Sequence, residues 1–280
     1  MSVWIWKLSG ISSRPMPMSS SMSTDTPAVL PRLRQAVVAA WDLEATASAL
    51  RRELGLAEGF HDPGVGEFGL SNEVLPIGKT FFEVVSPRVA GPSTAAGRFL
   101  ARTADRGGYM AIFQVAESAA ARTRIEARGL RIVWSGALHG IVGTHIHPAD
   151  IGGAIVSIDA IEDGHVDAWP WAGPNWEVRS DPAIASSICG LELAARDPQA
   201  MAAIWAAVLD LPVLSLDPLN GENGSLMATI SLADGGVLGF RACHEGEPEG
   251  IVAMQFGTLD PTRIGTSFSI ANCEMRFVGR

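Results

Sequence analysis

The hydrophobic pattern of the chain repeats four times. Each repeat is a short apolar run that closes on an acidic residue, namely Asp42, Glu117, Asp197 or Asp260. The runs begin 63 to 80 residues apart, which is too long for a solenoid repeat and fits a compact unit of strand, helix and sheet. The pattern therefore predicts four copies of one structural module.

A helix is predicted after each of the first three acidic residues. The acids are natural N-caps, and tight breaks follow 12 or 13 residues later at residues 54–56, 128–130 and 209–211. The first two breaks carry the glycine typical of a helix C-terminus. The fourth copy differs, because residues 262–268 are too few and too polar for the same helix.

Three strand candidates follow each of the first two helices, separated by turns rich in glycine and proline. The candidates are residues 58–61, 68–74 and 79–85 in the first copy, and 131–134, 141–145 and 153–159 in the second. Each unit is therefore predicted as βαβββ. We expect an α+β fold in which paired units form curved mixed sheets with helices on the outer face.

The chain is predicted to contain two tandem domains. We expect a disordered N-terminal tail at residues 1–30, a first domain of two units at 31–162, a linker rich in tryptophan and proline at 163–187, and a second, shortened domain at 188–280. The tail lacks the uninterrupted apolar core of a signal peptide. Nothing in the chain reaches the roughly 18 apolar residues of a membrane span, so no membrane partner is expected.

Composition narrows the function classes. The 280 residues are 47% hydrophobic, which is ample for two cores. The 21 basic and 30 acidic residues give a net charge of −9, which disfavours nucleic acid as a partner. The 3 cysteines show no CxxC spacing, so reduced thiols in a cytoplasmic protein are expected. The motifs of serine hydrolases and of nucleotide-binding folds are missing from the sequence.

The repeated units resemble the vicinal oxygen chelate superfamily. The resemblance rests on the paired βαβββ units, the strand that leads into an Asp-capped helix, Glu83 in the last strand of the first unit, and the His-Pro-x-x-x-Gly-Gly turn at residues 147–153. The superfamily includes glyoxalase I, methylmalonyl-CoA epimerase, extradiol dioxygenases and bleomycin-resistance proteins. The turn is most like that of the epimerase, and the whole chain resembles bacterial glyoxalase-like proteins.

The resemblance implies a divalent metal in a cup formed by the sheet, held by one residue from the first strand and one from the last strand of each unit. In the N-terminal pair these positions are Gln35, Glu83, Met110 and Ser157. Glu83 and Gln35 offer oxygen ligands, whereas Met110 and Ser157 are poor ligands. Only two of the four positions are matched, so a metal at Gln35 and Glu83 is left open.

The C-terminal pair matches the metal positions less well. Its first-strand positions are Gly190 and Ala253, and residues 237–241 contain no carboxylate. An extradiol dioxygenase uses two histidines and a glutamate to hold iron, so dioxygenase chemistry is not expected here. The resemblance therefore places the ligand cavity in the N-terminal pair.

Glu83 has the clearest physical argument for a function. Strand alternation places Phe81, Glu83 and Val85 on one face, where a carboxylate among apolar side chains is costly unless it has a partner. A raised pKa would suit Glu83 to proton transfer or metal binding, with Gln35 as its partner. Alternatively, the Gln35 amide donates to Glu83, and the two form a satisfied buried pair without chemistry.

Nine further residues are predicted to line the cup or its mouth. They are Val37, Phe81, Met110, Ile112, Ser157, His61, His145, His147 and Trp171. A lining of this kind suits a small, largely apolar molecule with one or two polar groups. The histidines are also consistent with plain turn residues. The tryptophan linker is also consistent with a segment that packs against both sheets.

Two functions are favoured by the sequence, and a purely structural assembly module is a third, lower alternative. The first is an enzyme for lyase- or isomerase-type proton transfer on a small carbonyl compound, with Glu83 as the base and Gln35 as its partner. The second is a non-catalytic protein of the bleomycin-resistance type that binds and sequesters a small molecule. A monomer and a homodimer are both compatible with tandem modules.

Overall fold

The structure is a computed structural model that describes residues 29–138, 140–162, 165–215 and 225–279. Residues 1–28 of the predicted tail lie outside the described residues. The strands are β1 (Arg32–Ala39), β2 (Leu70–Ile77), β3 (Thr80–Pro87), β4 (Gly108–Val115), β5 (Ile132–Leu138), β6 (Ile141–Ile146), β7 (Ile155–Ile161), β8 (Ala185–Ala195), β9 (Leu214–Ser215), β10 (Leu226–Ser231), β11 (Val237–Ala242), β12 (Gly250–Thr258), β13 (Ser267–Ile270) and β14 (Cys273–Val278). The α-helices are α1 (Leu43–Leu54), α2 (Ala95–Arg102), α3 (Ser118–Ala127), α4 (Pro148–Ile151) and α5 (Pro198–Leu209).

The strands form two mixed sheets with the same plan. The N-terminal sheet has the order β2-β3-β1-β4-β7-β6-β5, and the C-terminal sheet has the order β13-β14-β12-β8-β11-β10-β9. In each sheet the first strands of two units pair antiparallel at the centre, β1 with β4 and β8 with β12. Each first strand also pairs in parallel with the last strand of its own unit. The predicted fold class of paired modules is confirmed.

One unit departs from its predicted βαβββ pattern. In the first unit the strand expected at residues 58–61 is reduced to one bridge between Phe60 and Val74. Proline and the adjacent glycines turn the chain there into a 3₁₀ helix, Pro63–Phe68, capped by Asp62. The fourth unit has a short 3₁₀ helix, Pro261–Arg263, where the other units have an α-helix, as its length and polarity indicated.

Local capping explains where most helices begin and end. The carboxylate of Asp42 accepts a hydrogen bond from the backbone N–H of Ala45 at 3.0 Å, and that of Asp197 accepts one from the backbone N–H of Ala200 at 2.9 Å. Gly55 ends α1 in the left-handed conformation with φ 69°. Glu117 was predicted to cap α3, but its side chain makes no capping hydrogen bond. The longer glutamate side chain is a poorer N-cap than aspartate.

Asp42 provides a test of this local encoding. The Asp42→Ala variant should lose about 1 kcal/mol of unfolding free energy, because the N–H of Ala45 loses its acceptor. Chemical denaturation measures the loss. The Glu117→Ala variant is the matched control and should change stability by less than about 0.5 kcal/mol, since no capping bond is lost there. Equal losses in the two variants would contradict the assignment of the caps.

One continuous core joins the two sheets. The face of the N-terminal sheet that carries Ala36, Phe82 and Phe113 packs with the helices and with the C-terminal sheet. Phe82 stacks on Phe256 at 5.9 Å between ring centroids, which places residues of both sheets in direct contact. Strand β8 begins at Ala185, within the residues that the sequence predicted as linker.

Among the helices of the described residues, none is both long enough and apolar enough to cross a bilayer.

Candidate functional site

The opposite face of the N-terminal sheet, here called the cup face, carries Val37, Phe81, Glu83, Met110 and Ile112. The four apolar residues of this set are buried in a second core. The side chains that cover them come from α2 and from the linker, and they are Phe99, Leu100, Trp169 and Trp176. The linker tryptophans thus pack on the cup face, while Ile184, near the end of the predicted linker, packs against the core that joins the two sheets.

Glu83 lies at the centre of a hydrogen-bonded network on the cup face. Its strand, β3, is flanked by β1 and β2, so Gln35 and Asn72 approach the carboxylate from the two neighbouring strands. The Gln35 amide donates to Glu83 Oε2 at 2.7 Å, and the Asn72 amide donates to Oε1 at 2.6 Å. The indole of Trp169 donates to Gln35 Oε1 at 2.8 Å. The network therefore fixes the orientation of both amides.

Glu83 is only 8% exposed, and this burial controls the protonation of its carboxyl group. Loss of water raises the pKa of Glu83 to about 7, although the hydrogen bonds from Asn72 and Gln35 lower it. The charge of Asp62 raises the pKa further. A carboxyl group with a pKa near neutrality can both release and accept a proton at physiological pH.

A second buried carboxylate, Asp159, was missed by the sequence reasoning. It lies on β7, two residues after Ser157 on the same face, and it accepts from Ser157 Oγ. The Trp171 indole donates to Asp159 Oδ2 at 2.9 Å. Burial raises the pKa of Asp159 to about 6, and the hydroxyl and indole donors partly oppose that rise. The alternation of residues along β7 was the available signal.

The predicted histidines occupy three different environments. His61 is exposed, and its Nδ1 lies 2.6 Å from the backbone oxygen of Asn72. His145 lies on β6 beside Trp134, 4.5 Å between ring centroids, and burial lowers its pKa to about 4. His147 caps α4 by accepting from the N–H of Ala149. None of their described hydrogen bonds joins Glu83 or Gln35.

The side chains at the four family metal positions do not fit a divalent cation. Both oxygens of Glu83 accept from amides, and the Gln35 carbonyl oxygen accepts from Trp169. Met110 offers a thioether, and the Ser157 hydroxyl donates to a carboxylate. Within the described residues no group of three or more His, Cys, Asp or Glu side chains converges as a metal site.

An ion network anchors the linker to β1. Asp167 pairs with Arg32 at 2.7 Å and with Lys79 at 2.6 Å. The fully buried Arg34 donates to the backbone oxygens of Lys79 and Asp167, and burial lowers its pKa to about 9. Its guanidinium lies 5.2 Å from the centroid of the Trp169 ring. The two arginines in an apolar first strand were a signal that the sequence reasoning did not use.

A surface depression of about 570 Å³ lies along the linker and is here called the aromatic depression. Its lining includes Phe60, Asp62, Pro63, Leu138, Trp169, Pro170, Trp171, Pro174, Trp176 and Glu177. Trp169 and Trp171 also donate to Gln35 and Asp159, so the same side chains border the depression and contact the buried polar groups.

Comparison with known proteins decides the family. Residues 36–209 match the family described as Glyoxalase-like domain, which is well over half of the chain. The chain belongs to this glyoxalase-like family. The resemblance to the vicinal oxygen chelate superfamily is thereby confirmed.

One curated relative and two solved structures are similar to this chain or to part of it. An ethylmalonyl-CoA/methylmalonyl-CoA epimerase from Cereibacter sphaeroides is 30% identical over 134 residues, which cover 46% of this chain and 98% of that protein. A solved structure of methylmalonyl-CoA epimerase in complex with methylmalonyl-CoA and NH4+ is 22% identical to this chain, with a TM-score of 0.42. The match covers 48% of this chain and 99% of the epimerase chain. A hypothetical protein from Staphylococcus aureus is similar in fold over 90% of this chain and 100% of its own, with a TM-score of 0.61 and 10% identity.

Proposed function

We propose that this glyoxalase-like protein is an isomerase-type enzyme that moves a proton on a small carbonyl compound at the cup face. The observation that carries the proposal is the buried Glu83, whose pKa is raised to about 7 within a network of fixed amides. The relative from Cereibacter sphaeroides is named as an epimerase, which is a kind of isomerase.

In this proposal Glu83 is the base. Its carboxylate takes a proton from the carbon next to the substrate carbonyl, which leaves an enolate, and a second acid returns a proton to the opposite face of that carbon. Gln35 and Asn72 hold the carboxylate in position by donating to its two oxygens. Asp159, on the equivalent strand of the second unit, is a second group that can hold a proton close to neutrality.

Substrate binding requires a change in the linker. Trp169 and Trp176 pack over the cup face, and Trp169 also occupies the carbonyl oxygen of Gln35. Displacement of these indoles would open apolar surface formed by Val37, Phe81 and Met110. Such a surface suits a small, largely apolar substrate.

The alternative is a protein that binds and sequesters a small molecule without chemistry. One observation favours it: Glu83 and Gln35 are already satisfied by hydrogen bonds, so the pair is stable without a substrate. The two functions differ in one measurable property, because only the enzyme exchanges a substrate proton with solvent.

Proton exchange in D₂O tests the proposal. Small ketones and esters with a branched α-carbon, together with methylmalonyl-CoA, are incubated with the protein, and loss of the α-proton signal is followed by NMR. The wild type should exchange at least one compound, and Glu83→Gln should lower that rate by about 10² to 10⁴-fold.

The control is Glu126→Gln, an exposed carboxylate on α3 that pairs with Arg122. It should exchange at the wild-type rate. Saturable binding of a compound without exchange by the wild type would support the sequestering function. Exchange by the wild type that persists in Glu83→Gln would remove Glu83 from the mechanism.

A further inference from the structure

We infer that the aromatic depression binds an organic cation, specifically a tertiary or quaternary ammonium group. This inference goes beyond the proposed proton transfer and does not depend on it. It rests on the side chains that surround the depression, on their charges and on its size.

The aromatic content of the lining is the first argument. Phe60, Trp169, Trp171 and Trp176 all border the depression. The electron-rich face of an aromatic ring attracts a cation within about 6 Å of the ring centroid, and tryptophan does so most strongly. Phe60 and Trp171 are the partly exposed rings, whereas Trp169 and Trp176 are buried and already contact Arg34, at 5.2 and 5.8 Å from their centroids. A bound cation would therefore contact Phe60 and Trp171.

Charge is the second argument. The two charged side chains among the described lining residues are Asp62 and Glu177, and both are acidic. Asp62 is half-buried, and one of its oxygens accepts from the N–H of Gly64, which fixes the carboxylate at the rim. Two carboxylates beside aromatic rings favour a cation over a neutral or anionic ligand. The net charge of −9 acts in the same direction.

Size and polarity are the third argument. About 570 Å³ lies within the 300 to 1,000 Å³ typical of small-molecule pockets. Leu138, Pro63, Pro170 and Pro174 add apolar surface to the lining. A methylated ammonium group combines a positive charge with apolar methyl groups, and it therefore matches this lining better than a metal ion or a strongly hydrated primary amine.

Titration with a matched pair of ligands tests the inference. Choline and its neutral isostere 3,3-dimethyl-1-butanol are titrated into the 280-residue chain, and binding is followed by calorimetry and by tryptophan fluorescence. We expect saturable choline binding in the millimolar range or tighter, with the neutral alcohol at least about tenfold weaker. Equal binding of both ligands, or no saturable choline binding, would overturn the inference.

Charge variants locate the site. Asp62→Asn keeps the capping geometry, and Glu177→Gln changes an exposed side chain, so both should fold. Combined, they should weaken choline binding by about fivefold or more and leave the neutral alcohol unchanged. The control is Asp181→Asn, which removes an exposed acid close in sequence that does not line the depression. Unchanged choline affinity in the double variant would also refute the site.

Ring variants test the aromatic contribution separately. Trp171→Phe and Trp171→Leu both remove the indole donor to Asp159, but only the phenylalanine variant keeps an aromatic face. We expect Trp171→Leu to bind choline at least threefold more weakly than Trp171→Phe. Equal affinities would show that the ring does not contact the cation. This result is independent of proton exchange, so failure of the cation site and failure of the isomerase proposal are distinguishable.

Discussion

Trp205→Ala should lower the free energy of unfolding by about 4 kcal/mol, the loss typical of removing a large aromatic side chain from a core. Trp205 is 1% exposed and packs edge-on against Phe113 of the N-terminal sheet and Phe240 of the C-terminal sheet, each at 5.9 Å. Its indole also donates to the backbone oxygen of Ile151 at 2.6 Å. The variant therefore leaves a cavity between the sheets and a buried carbonyl without a donor.

Denaturant titration and thermal unfolding measure this loss, which corresponds to a fall in Tm on the order of 10 °C. The matched control is Trp41→Ala. That indole also donates, to Asp105 at 2.7 Å, but Trp41 is 39% exposed. Its removal should cost less than about 1 kcal/mol. Similar losses in both variants would show that Trp205 does not join the two sheets.

Stability should fall as the pH rises through the range in which Glu83 ionises. The pKa of Glu83 is raised from its ordinary value of 4.5 to about 7, so the native state holds the proton more tightly than the unfolded chain. The stabilisation is complete below pH 4.5 and is lost between pH 4.5 and about 7, with a total near 3 kcal/mol. Asp159 acts in the same direction, over the range from 3.8 to about 6.

Denaturant titrations at pH 5 and pH 8 isolate the contribution of Glu83. The difference in unfolding free energy between the two pH values should shrink by about 2 kcal/mol in Glu83→Gln relative to the wild type. Glu126→Gln, which alters an exposed ion pair, should keep the wild-type difference. An unchanged difference in Glu83→Gln would mean that Glu83 ionises in the native state as it does in the unfolded chain.

The repeated modules were predictable because their signals are local. An apolar run, an aspartate N-cap and a glycine break lie within about 20 residues of one another, and they determine a strand, a helix and a turn without reference to the rest of the chain. The strand expected at residues 58–61 failed because its pairing depends on β2, and a proline-glycine turn competes with that pairing.

The contacts of the site were less predictable because they are long-range. The Gln35 to Glu83 pair followed from the family resemblance, and strand alternation placed Glu83 among apolar side chains, whereas Asn72 depends on the register between β2 and β3. The position of Trp169 over the cup face depends on an anchor between residues far apart in sequence, Arg32 and Asp167. Periodicity within a single strand contains no information about either contact.

The role of Glu83 as the base is tested most directly by the pH dependence of proton exchange in D₂O on a compound that the wild type accepts. The exchange rate should rise with pH and level off above about pH 7, as Glu83 becomes a carboxylate, and Glu83→Gln should lower it by about 10² to 10⁴-fold. A rate that does not change across this range, or a variant that exchanges at the wild-type rate, would show that Glu83 is not the base.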